Sequence, residues 1–75
     1  MEVTPVQILM ARAALKMTTQ ELADAAGLDK QTISRMQTGA SVRPGTLARV
    51  ARVLRERGAE FIESNGKVGV LVPRS

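Results

Sequence analysis

Apolar residues recur along most of this chain at helical spacing, then switch near its end to alternate positions. Thr4-Pro5 reads as an N-cap followed by proline at the first helical position, which predicts a helix from there to about Lys16. That helix is apolar almost all round, carrying Val6, Ile8, Leu9, Met10, Ala11, Ala13, Ala14 and Leu15; Met1 to Val3 are expected to fray ahead of it. Thr18 with Glu21 forms a capping box for a second helix, Thr19 to Ala26, with a narrow apolar face of Leu22, Ala23 and Ala26. Gly27 can take the left-handed conformation that ends such a helix sharply. Asp29 is an N-cap for a third helix from Lys30 to Gln37, buried through Ile33 and Met36 and closed by Thr38-Gly39. Residues 40–43 form a polar loop. Pro44, Gly45 and Thr46 open a fourth helix to about Arg57, with a core stripe of Leu47, Val50, Ala51 and Leu54 at i, i+3, i+4 and i+7. Arg49, Arg52 and Glu56 fall on its opposite face, and Gly58 is its expected C-cap.

The last segment reads as a β-hairpin. Residues 59–64 and 67–72 flank Asn65-Gly66, a pair suited to a type I′ turn. In that register Phe61 faces Val70 and Glu63 faces Val68. One face carries Phe61, Val68, Val70 and Val72, the other Ile62 and Leu71. Two strands alone are marginal in water, so the hairpin must pack on the helices or pair with another chain. The closing LVPRS also resembles a thrombin-type recognition sequence.

Helices 2 and 3, joined by a short turn containing glycine, have the geometry of a helix-turn-helix. The pattern from Thr18 to Gly39, T-x-Q-E-L-A-x-x-A-G-L-D-x-x-T-I-S-R-M-x-x-G, closely resembles the phage-repressor and Cro-type helix-turn-helix proteins, the XRE family. The similarity spans residues 6 to 57. It is specific, because caps, small residues and polar positions are matched together. The resemblance implies one mainly α domain over residues 1–75: a four-helix, lambda-repressor-like core over residues 4–58, then a two-stranded hairpin over 59–72. It places Ile8 and Leu15 in the core, with Val6, Met10 and Met17 on a second flank that could meet a partner. The larger phage repressors dimerise through a fifth helix, whose place the hairpin takes here. Phe61, Ile62, Val68, Val70 and Leu71 are therefore the expected dimer contacts.

Composition narrows the function further. Eleven Lys and Arg against seven Asp and Glu give a formal charge of +4, which favours a polyanionic partner. A single aromatic, Phe61, argues against single-stranded nucleic acid, whose binders stack bases on several rings. Without cysteine there are no disulfides, as suits a reducing cytoplasm, and without cysteine or histidine the commonest metal ligands and the usual activating base are missing. No apolar run could span a bilayer, and no Gly-rich phosphate loop is present. The expectation is a cytoplasmic non-enzyme with no cofactor, metal or membrane partner.

The third helix carries the candidate chemistry. By resemblance its base-reading positions are Lys30, Gln31, Ser34 and Arg35. Arg and Lys can bond O6 and N7 of guanine, Gln can pair bidentately with adenine, and Ser is short enough for close approach. On composition alone these four would be an ordinary solvated face. Phosphate contacts are expected from Thr19 and Gln20 at the start of helix 2, and from Thr32, Thr38 and Arg43. In the family the residue matching Arg12 pairs with an acidic side chain near the end of helix 3. Here that position is Gln37, so a neutral acceptor is expected instead. The implied function is sequence-specific binding of double-stranded DNA by a homodimer, acting as a transcriptional regulator, with repression the simplest mechanism. A protein-interaction module on the same fold, an antiactivator or antitoxin, is the alternative, and a regulatory protein partner is compatible with both. A directionality factor of mobile-element machinery would use the same DNA contacts.

Overall fold

A computed structural model describes residues 2–74 and gives the order α1 (Pro5–Ala14), α2 (Thr19–Ala26), α3 (Lys30–Gln37), α4 (Pro44–Glu56), β1 (Glu60–Ser64) and β2 (Lys67–Leu71). Met1 and Ser75, at the expected frayed start and the end of LVPRS, lie outside the described residues.

The expected caps hold the helix starts. The Glu21 amide donates to the Thr18 hydroxyl at 3.0 Å, and the Thr18 amide donates back to the Glu21 carboxylate at 2.7 Å. The Thr32 amide and hydroxyl both donate to Asp29, each at 2.8 Å.

The helix ends share one device. Lys16, Gly27, Gly39 and Gly58 all have positive φ (58°, 70°, 83° and 102°). In each case the next residue's amide reaches back to a carbonyl of the last turn: Met17 to Arg12, Leu28 to Ala23, Ala40 to Arg35 and Ala59 to Leu54. These are Schellman endings, and after three of them Met17, Leu28 and Ala59 turn into or against the core. Lys16 is the only one of the four with a side chain. It ends α1 earlier than expected and carries Met17 into the core. Met17 therefore does not lie on an outer flank of the helix.

The core is a single cluster of Ile8, Ala11, Met17, Leu22, Ala23, Ala26, Ile33, Met36, Val50, Ala51, Leu54 and Ala59, joined by Val3. Leu15 and Leu47 are only half-buried at its margin. Val3, expected to fray, is instead 7% exposed. Its side chain lines a cleft with Val42, Leu47 and Ala51, so burial of one β-branched residue holds the chain ahead of α1. Val42, lining the same cleft, packs against the core and pins the nominally polar loop.

The hairpin has the expected register, Phe61 opposite Val70 and Glu63 opposite Val68, turning through Asn65 (φ 53°) and Gly66 (φ 76°). Phe61, Val70 and Val72 pack on the helical core. Gln7, fully buried in α1, joins the two parts. Its amide nitrogen donates to the carbonyls of the cross-strand pair Ile62 (3.1 Å) and Gly69 (2.9 Å), and its oxygen accepts the Thr4 amide at 2.9 Å. At the other end Pro73 lies against Gly58, where a Cβ would come within 2.7 Å of the proline ring.

Candidate nucleic-acid interface

The third helix is held by only two buried side chains, Ile33 and Met36, which seat it on α1 and α2. Everything on its far side is polar. Gln31, Ser34, Arg35 and Thr38, at i, i+3, i+4 and i+7, form a stripe opposite the buried pair, with Lys30 beside it in the first turn. Lys30, Gln31 and Arg35 are exposed; Ser34 is half-buried between them. The short αL turn at Gly27 sets α3 against α2, and the Asp29 cap fixes where α3 starts. Its far end is tied down by Arg12, whose guanidinium donates to the Gln37 side chain and, at 2.7 Å, to the Met17 carbonyl. The neutral acceptor expected at Gln37 is thus in use. Fixing both ends of a probe helix lets its side chains meet base edges in one register.

The five residues expected at phosphates divide. The donors of three are engaged in local bonds at the surface: Gln20 to Asp24 at 2.8 Å, Thr32 to Asp29, and the Thr38 hydroxyl to the Arg35 carbonyl at 2.9 Å. Thr32 and Thr38 thereby stabilise the two ends of α3. Thr19 sits half-buried in the first turn of α2, and Arg43 is exposed at the start of α4.

Arg43 has a neighbour that sequence reasoning missed. Arg35, Arg43, Thr32, Ser41, Val42 and Thr46 line one cleft of about 230 Å³ beside the recognition face. Two guanidinium-bearing residues and hydroxyl-bearing ones thus border a single concavity, a setting in which a phosphate oxygen would be met from several sides. The loop 40–43 brings them together, with half-buried Val42 as its anchor.

Two carboxylates near the interface titrate low. Hydrogen bonds from the Thr18 amide and then its hydroxyl hold Glu21 below the ordinary 4.5. Asp29 is held below the ordinary 3.8 by the Thr32 hydroxyl first and its amide second. Both are therefore charged near neutral pH, and the Asp29 charge lies at the N-terminus of α3, where the helix dipole favours it. Among the described residues no group of acidic side chains is arranged to hold a metal ion, and no helix is long and apolar enough to cross a membrane.

Of the five expected dimer contacts, Phe61 and Val70 are engaged with the chain's own core and Val68 is half-buried. Ile62 (42%) and Leu71 (53%) remain exposed on the outer face.

A four-helix core with a capped, two-ended probe helix defines a helix-turn-helix DNA-binding domain. The helix-turn-helix family matches residues 8–61, and the chain belongs to it, in its Cro and repressor-type (XRE) form. The family is one of DNA-binding transcription regulators rather than enzymes. A search of curated proteins returns no match.

Proposed function

We propose that the protein is a dimeric, sequence-specific repressor that reads the major groove of duplex DNA with α3. The carrying observation is the exposed Lys30–Gln31–Arg35 face on a helix anchored at both ends. Arg35 and Lys30 suit guanine, and Gln31 suits adenine, with Ser34 allowing close approach. Arg43, together with Thr19, contacts flanking phosphates; Thr32 and Thr38 act mainly by stabilising the ends of α3, and Gln20 bonds Asp24 one turn along α2. A homodimer would place two recognition helices about 34 Å apart on successive major grooves of a near-palindromic operator. Occlusion of polymerase is the simplest consequence of that occupancy.

Arg35→Ala tests the reading. It is expected to weaken binding to a selected operator by about 1–3 kcal/mol and to relax preference at one base position per half-site. Since Arg35 is exposed, thermal unfolding of the variant should match the parent. Unchanged affinity and unchanged base preference would remove Arg35 as a reader. An absence of any duplex binding by the parent protein would favour the antitoxin or antiactivator reading.

A further inference from the structure

The outer face of α1 is apolar without interruption. Val6 (48%), Leu9 (37%) and Met10 (37%) are exposed, as are Ala13 and Ala14. The helix has two polar side chains, Gln7 and Arg12, and both are spent on internal hydrogen bonds. A helix apolar on all sides belongs in an interior, yet this one lies at the surface.

We infer that a second copy of the chain covers this stripe, α1 against α1 about a twofold axis. The inference locates the contact of the dimer proposed above and rests on that reading. Charge selects the occupant. A twofold contact sets a surface against itself, so any like charges near the axis meet each other. The outer face of α4 would bring together Arg49, Arg52 and Arg57 against a single carboxylate, Glu56, which already pairs with Arg52 at 3.6 Å, and the β1 strand would bring together Glu60 and Glu63, in a chain already at +4. The exposed face of α1 carries no ionised group.

The spacing is also self-complementary. Positions 6 and 13 lie symmetrically about Leu9 and Met10. Antiparallel packing then sets Val6 against the small Ala13 of the other copy and clusters Leu9 and Met10 at the axis. Such a stripe presents a few hundred Å² of apolar surface, in the range of functional patches. A standard interface needs about 800 Å² per partner, so the stripe would be its apolar centre. The adjoining β2 strand, on which α1 packs, can supply the rim: its residues Lys67 to Leu71 include no acidic group.

Sedimentation equilibrium of the full chain, from micromolar to millimolar concentration at low salt, tests this. The parent chain, Leu9→Glu, Leu9→Lys and an equimolar mixture of the two variants would be compared, with Arg49→Glu on α4 as control. The parent and control are expected to dimerise. Each Leu9 variant should raise the dissociation constant at least about 100-fold, because two like charges meet in a desolvated contact. Mixing them should restore a heterodimer, since opposite charges then face each other across the axis. Circular dichroism should show both variants folded, Leu9 being a surface residue. A parent chain monomeric throughout would overturn the inference, as would Leu9→Glu associating like the parent or a mixture that stays monomeric. The DNA reading fails separately: Leu9→Glu should still bind a single half-site, and Arg35→Ala should still dimerise.

Discussion

Replacing Gln7 with leucine keeps roughly the size of the side chain and removes every polar contact between α1 and the hairpin. The wild-type amide donates to Ile62 and Gly69 at 3.1 and 2.9 Å and accepts from Thr4 at 2.9 Å, all with the side chain fully buried. A net contribution near 1 kcal/mol for each of three bonds gives a loss of about 2–4 kcal/mol, including the Thr4 amide left without its acceptor. The gain from a more apolar side chain at that site offsets part of this, so about 2–3 kcal/mol should remain. For a domain of this size each kcal/mol moves the midpoint by about 4–8 °C, and the expected drop is on the order of 10–20 °C. Urea and thermal unfolding followed by circular dichroism would measure it. If Gln7→Leu lost less than about 0.5 kcal/mol, the hydrogen bonds would not be what seats the hairpin, and packing of Phe61, Val70 and Val72 would have to suffice.

Other consequences follow from the same geometry. Lys16 carries a side chain at a left-handed helix end where α2, α3 and α4 use glycine. Lys16→Gly relieves about 1–2 kcal/mol of backbone cost against about 0.4–1 kcal/mol of added unfolded-state entropy, so the melting temperature should rise by a few degrees; a lower midpoint would contradict this. Glu21 and Asp29 titrate below their ordinary values of 4.5 and 3.8 in the folded chain. Their contribution to stability is therefore present above those values and lost as the pH falls through the depressed folded ones. An acid titration of urea midpoints should show that loss, and Asp29→Asn should flatten its share. Arg43→Ala should weaken DNA binding about equally for all sequences and lower the slope of log affinity against log salt by about 1, as measured by fluorescence anisotropy.

Residues whose role is completed within a few positions are legible in the sequence itself. The Thr18–Glu21 box, the Asp29 cap, Gly27 and the Asn65-Gly66 turn all act over six residues or fewer, and each falls where the chemistry of caps and turns puts it. The face of α3 follows, because Ile33 and Met36 mark its buried side. What escapes depends on distant partners. Gln7 bonds to backbone groups 55 and 62 residues away, and a lone glutamine in an apolar helix gives no hint of them. Val3 is held by the far side of a cleft whose walls come from the loop and α4. Lys16 adopts a conformation its side chain disfavours, which shortens α1 and turns Met17 inward. The Arg35–Arg43 cleft exists only because a loop returns to the recognition face.

The most direct test of DNA reading by α3 is selection from a random duplex library at near-physiological salt. Parent protein and Arg35→Ala would be carried through in parallel and the bound fractions sequenced. The expected result is a twofold-symmetric site with half-sites about 10 base pairs apart, and loss of preference at one position per half-site in the variant. A parent protein that enriches no sequence, or a variant that enriches the same site with the same preferences, would contradict it.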